Sequence, residues 1–173
     1  MLVAMAGLPG SGKTTLAARL AEHLGGVVLS KDVVRAALFP GPTLDYTSAQ
    51  DDVAMAAVYR AAGYTLRSHP AVPVFLDGRT FSKSGQLDDP LALTASLDQP
   101  LHVIECVCAP DIARARIGVD HAAGTHPAGN RTPDLYDRVK AASAPLAVAR
   151  LTLDTGALPL DECVSRALAY LGR

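Results

Sequence analysis

Residues 7 to 14 read Gly-Leu-Pro-Gly-Ser-Gly-Lys-Thr, a full match to G-x-x-x-x-G-K-[ST]. No other feature restricts the fold as much, because the octet has meaning only as the turn between a buried strand and a helix. Both flanks comply. Leu2-Val3-Ala4-Met5-Ala6 is a short apolar run of the kind that forms a buried strand, and residues 15–24 carry apolar side chains at 16, 17, 20, 21 and 24, which is helical spacing. The glycines let backbone N–H groups turn inward around an anion without Cβ clashes. The helix N-terminus adds free N–H groups and a partial positive charge. Gly7, Pro9, Gly10, Ser11, Gly12, Lys13, Thr14 and Thr15 are therefore the expected nucleotide contacts. Lys13 would reach the β- and γ-phosphates and the Thr14 hydroxyl would ligate Mg²⁺.

Strands and helices alternate through the rest of the chain. Short apolar runs at 27–30, 74–77, 101–107 and 151–153 read as four further strands. Between them, helices are expected at 31–39, 47–67, somewhere in 86–97 with a break near Pro90, 111–119 and 134–147, and a last one around 160–171. This order predicts βαβ units and a parallel sheet covered on both faces. Residues 120–133 change character, with Gly, His, Pro, Asn and Arg and no apolar period. They read as a lid, at about 118–133, within a single domain spanning 1–173.

Bulk properties exclude several classes. A length of 173 residues fits one domain with a substantial core. The net charge is −1, from 16 basic and 17 acidic residues, which disfavours a long nucleic-acid footprint. No stretch approaches the roughly 20 apolar residues of a membrane span, and the apolar start lacks the basic residues of a signal peptide. Cys106, Cys108 and Cys163 have no metal-like spacing and read as structural thiols. A cytoplasmic enzyme is expected. The chain has no Asn-Lys-x-Asp guanine motif and no Leu-Ser-Gly-Gly-Gln transporter signature, and in Asp77-Gly78-Arg79-Thr80 the glycine is misplaced for an Asp-x-x-Gly switch. What remains is a compact enzyme that moves a γ-phosphoryl group to a small acceptor.

A second segment, Leu29-Ser30-Lys31-Asp32-Val33-Val34-Arg35, lies at the carboxyl end of the second strand, the edge where ligands sit in parallel sheets. With its phosphate loop of the form G-x-P-G-S-G-K-[ST], an Asp followed three residues later by an Arg, and an Asp closing the third strand, the chain resembles a family of small P-loop kinases. That family groups polynucleotide 5′-hydroxyl kinases, zeta-toxin-type sugar-nucleotide kinases and antibiotic phosphotransferases. The resemblance implies a P-loop NTPase fold, a five-stranded parallel sheet in the order 2-3-1-4-5, helices on both faces and an arginine-bearing lid. It also implies ATP and Mg²⁺, and an alcohol acceptor that is either a small molecule or a polynucleotide 5′-OH end.

An attacking alcohol must lose its proton, and Asp32 matches the position of that base; the same residue can also serve as a helix N-cap. Arg35, one helical turn on, is suited to an acceptor phosphate or hydroxyl, or to an ion pair with Asp32. Asp77 is placed for Mg²⁺ or the acceptor. Arg79 departs from the family pattern and suggests an anionic acceptor, or is a surface arginine. Arg114 and Arg116 are two apart on one helix, so only one can face the site. Arg116 matches the family's nucleotide-covering arginine, and Arg131 is the candidate for the second lid arginine. His121 and His126 lack a third metal ligand and read as loop histidines. Thr155 and Gly156 follow the fifth strand where such kinases accept the adenine edge. A regulatory ATPase without a dedicated acceptor is the rival from another class.

Overall fold

Every residue of the first strand is fully buried, so the sheet must be covered on both sides, and the topology explains how. A computed structural model describes residues 1–124, 128–130 and 132–173. Five strands, β1 (Leu2–Ala6), β2 (Val27–Ser30), β3 (Val74–Asp77), β4 (Leu101–Val107) and β5 (Leu151–Asp154), form one sheet in the order β2-β3-β1-β4-β5. All pairings are parallel, with Leu2 opposite Val74 on one side and Leu101 on the other. This is the expected P-loop NTPase order.

Successive β1 side chains point to opposite faces. Val3 and Met5 pack with Leu16 and Leu20 of α1 (Lys13–Leu24) and Val164 and Ala167 of α7 (Leu160–Tyr170). Leu2, Ala4 and Ala6 pack with Met55, Val58 and Leu66 of α3 (Ser48–Ser68). Each buried Leu, Val or Met contributes about 1.5–3 kcal/mol relative to exposure, so neither face can be stripped of its helix. The remaining helices are α2 (Lys31–Leu38), α4 (Asp88–Ser96), α5 (Pro110–Ala123) and α6 (Pro133–Ala141).

Four boundaries differ from those expected. Helix α1 begins at Lys13, two residues early, which puts Lys13 and Thr14 in its first turn with their amides facing the loop. Helix α4 is not broken at Pro90, which is its third residue, where the missing N–H has no intrahelical duty. Helix α5 runs four residues past 119 to a left-handed Gly124, so residues 118–123 of the expected lid are helical. Helix α6 ends at Ala141, six residues before 147, and Pro145 lies in the irregular segment that follows.

Candidate functional site

The loop between β1 and α1 wraps at the carboxyl edge of the central strand. Gly7 has φ 130 and Gly10 φ 76. A Cβ on Gly7 would stand 2.2 Å from the Cys106 carbonyl oxygen, and one on Gly10 would stand 2.5 Å from that of Ala113. Only glycine fits either place. Gly12 caps α1 in the left-handed region, and Ser11 and Lys13 are buried, Lys13 with 6% of its surface exposed. The Lys13 ammonium donates to the Leu8 carbonyl at 3.2 Å, which holds it within the loop it closes. Pro9 lines one cleft beside the loop, and Thr15, exposed at the start of α1, lines another.

The Thr14 hydroxyl donates to Asp77 Oδ2 at 2.8 Å. Asp77 is 3% exposed, and its other oxygen, Oδ1, is buried without a hydrogen-bond partner. A carboxylate oxygen left without a partner in the interior is costly. A divalent cation held between Thr14 and Asp77, directly or through water, would satisfy it, so these residues fit Mg²⁺, which takes one or two protein oxygens and completes its shell with phosphate and water. Among the described residues no group of three His, Cys, Asp or Glu side chains forms a metal site of its own.

Two clefts open from the loop, and Lys13 and Thr14 line both. The first, of about 710 Å³, holds Gly10, Gly12, Thr15, Arg116 and Thr155. Arg116 donates to Thr155 twice, from NH1 to Oγ1 at 3.1 Å and from NH2 to the carbonyl at 2.9 Å, and from NH1 to the Gly10 carbonyl at 3.3 Å. The Thr155 hydroxyl in turn donates to the Ser11 carbonyl at 2.8 Å. Arg116 thus clasps the phosphate loop to the β5–α7 turn, where the Gly156 amide donates to Asp154. Arg114 turns the other way, pairing with Asp111 and Asp137 and lying over the Tyr136 ring. Arg131 and His126 lie outside the described residues; His121 is in the last turn of α5.

The second cleft, of about 550 Å³, holds Asp32, Arg35 and Arg79. Asp32 does not cap a helix: Ser30 occupies the N-cap of α2, and Asp32 lies in the first turn. Its Oδ1 accepts from Arg35 at 3.0 Å and lies 3.4 Å from the Lys31 ammonium. Arg35, 4% exposed, also donates to Asp51 of α3 and lies 4.7 Å from the centre of the Tyr46 ring. The Lys31 ammonium donates to Asp51 at 2.9 Å. Two buried cations and two partly buried carboxylates therefore form one network that fixes Asp32. Arg79 donates to Asp52, which is largely exposed. Tyr46 holds φ 57, an uncommon state for an aromatic residue, and its hydroxyl accepts from the Gly129 amide at 3.0 Å.

Lys31, Asp52, Lys83 and Arg138 were not singled out as site residues by the sequence. Lys31 and Asp52 act through partners on other elements, and nothing in their own neighbourhoods signals that. Cys106 is inert, its thiol pushed up to about 12 by burial, and no helix among the described residues is long and apolar enough to cross a membrane.

The AAA_33 family, described as an AAA domain, matches residues 2–150. No curated protein matches. Among solved structures, a candidate kinase from Chloroflexus aurantiacus is 24% identical, with 97% of this chain and 96% of that one covered and a TM-score of 0.77. A gluconokinase from Sinorhizobium meliloti is 21% identical (99% and 91% covered, TM-score 0.64). The Mycobacterium tuberculosis APS kinase CysC, in complex with AMPPNP and APS, is 17% identical (99% and 97% covered, TM-score 0.69). These likenesses establish the shared fold.

Proposed function

Since the chain belongs to the AAA_33 family of AAA domains, we propose that it is an ATP-dependent kinase that phosphorylates a hydroxyl group, and that the acceptor is a small molecule. The observation that carries this reading is the pair of clefts meeting at Lys13 and Thr14. A regulatory ATPase needs the first; a second cleft with a fixed carboxylate in it is what an acceptor requires. The kinases among the solved structures of the same fold support the reading, and three free thiols suit a reducing cytoplasm.

In the first cleft, the loop amides and Lys13 neutralise the triphosphate, and the Arg116 clasp keeps the β5–α7 turn against the loop so that Thr155 and Gly156 can meet the base. Mg²⁺ between Thr14 and Asp77 would supply charge neutralisation on the phosphate oxygens. In the second cleft, Oδ2 of Asp32 has no hydrogen bond among the described residues and is available to the acceptor hydroxyl. The hydroxyl oxygen attacks the γ-phosphorus in line, the bond to the β-phosphate oxygen breaks, ADP leaves, and the proton passes to Asp32 and on to water. Arg35 holds Asp32 in place, Arg79 is available to the acceptor, and Arg131 is assigned to the γ-phosphate as the site closes.

The test is transfer of label from γ-labelled ATP to a panel of hydroxyl compounds and a 5′-OH oligonucleotide. Asp32→Asn is expected to lower kcat by about 10²- to 10⁴-fold while ATP affinity stays within twofold. Hydrolysis at one rate with every compound offered, untouched by that substitution, would sink the kinase reading.

A further inference from the structure

We propose that the acceptor carries a fixed anionic group (a carboxylate, sulfate or phosphate) in addition to the hydroxyl that is phosphorylated, and that Lys83 and Arg138 select it. This deepens the reading of the second cleft as the acceptor site and rests on it.

The walls of that cleft carry six cationic and three acidic side chains, in a chain whose overall charge is −1. The positive excess is therefore local. All three acids are already engaged: Asp32 and Asp51 by Lys31 and Arg35, Asp52 by Arg79. Lys13 belongs to the phosphate loop. The two cations left, Lys83 on the β3–α4 loop and Arg138 on α6, have no ion pair or side-chain hydrogen bond among the described residues. Both are exposed, so neither stands there to stabilise the fold. A concave surface of one sign focuses its field and raises the local concentration of ligands of the other sign.

The chemistry of the walls narrows the ligand further. Gln86, Asn130, Ser48 and Thr80 also face the cleft and suit the hydroxyls of a polar molecule. A cationic acceptor would meet two uncompensated positive charges, and a neutral one would leave both unused. A volume of about 550 Å³ suits a small molecule. A polynucleotide end would need a basic track continuing beyond the cleft, which a pocket of this size does not itself provide.

Two measurements test this with the full chain. In the first, thermal unfolding is followed with Mg²⁺ and a non-hydrolysable ATP analogue saturating the phosphate loop, while glycerate, sulfate or inorganic phosphate is titrated at constant ionic strength, with glycerol as the neutral control. At least one of these oxyanions is expected to raise the midpoint by about 3 °C, glycerol is not, and the double variant Lys83→Gln/Arg138→Gln is expected to lose the shift. The oxyanion that acts identifies the group. An equal shift in the variant, or an equal shift with glycerol, overturns the proposal. The second measurement compares acceptors in matched pairs, sugar acids and sugar phosphates against the parent sugars, together with a 5′-OH oligonucleotide. The anionic small molecules should be phosphorylated, with KM at least tenfold higher in the double variant and a smaller change in kcat. Turnover of neutral compounds alone, or of the oligonucleotide alone, also overturns it. If the nucleotide binds and no compound is phosphorylated, the kinase reading fails, while the oxyanion titration still decides what the cleft selects.

Discussion

Arg35 holds two carboxylates at once, Asp32 on its own helix and Asp51 on the next. With 4% of its surface exposed, its removal would leave two partly buried acids close together without the guanidinium that pairs them. Arg35→Gln is accordingly expected to cost about 3 kcal/mol, seen as a lower urea midpoint with an unchanged slope. Arg35→Lys should recover little of it, since an ammonium cannot serve two carboxylates and an aromatic face with the planar fork of a guanidinium. Half of this arrangement was legible in the sequence. The spacing of Asp32 and Arg35 by three residues announces a pair on one turn of helix. The pairing of Asp51 with Lys31 and Arg35 did not announce itself, because it exists only once α2 and α3 pack, and a lysine opening a short helix looks like any solvated residue. Thr14 and Asp77 were placed at the metal by motif alone; their direct hydrogen bond is a tertiary fact.

At the level of elements, strands were the easier part. Short apolar runs of β-branched and large aliphatic residues, bounded by Gly, Pro or Asp, have few other uses in a chain of this size. Helix ends were harder. Pro90 reads as a breaker until the start of α4 is known, and the polar turns that extend α5 to Ala123 have no apolar stripe to reveal them because they cover little of the core. One connection between elements was invisible in the sequence: Tyr46, ahead of α3, reaches Gly129 ahead of α6. A single neutral hydrogen bond of this kind contributes about 1 kcal/mol. Tyr46→Phe keeps the ring over Arg35 and loses the acceptor oxygen, so the Gly129 amide should exchange its hydrogen about fivefold faster while amides in β1 are unaffected. An unchanged rate at Gly129 would mean that the contact holds nothing in place.

Across the whole molecule, His102 of β4 gives the stability of the fold a pH dependence. Burial, together with the Met1 ammonium, lowers its pKa below the ordinary 6.5, and its ring meets Tyr170 of α7 edge-on at 5.5 Å. A depressed value means the unfolded chain takes up the proton first. The stability contribution is therefore complete above 6.5 and is lost as pH falls through that value toward the lower folded one. Thermal midpoints of the native chain should drop more steeply below pH 6.5 than those of His102→Gln, and parallel curves would exclude the effect. Gross architecture, by contrast, was readable at this scale, because a strand, a glycine loop and a helix repeated against further strands leave few ways to build a sheet with both faces covered.

The position of Leu2–Ala6 in the middle of the sheet has a consequence for how the chain is made. Its two neighbours are β3, beyond residue 73, and β4, beyond residue 100. During synthesis these five apolar residues must wait, unpaired, until Val74 and its neighbours have followed them, and they lack a second neighbour until Leu101 and the rest of β4 appear. Contacts so distant along the chain are slow to close, and a sticky segment kept waiting invites association with other copies. The strand that carries the phosphate loop is thus also the one most dependent on protection before the molecule is complete.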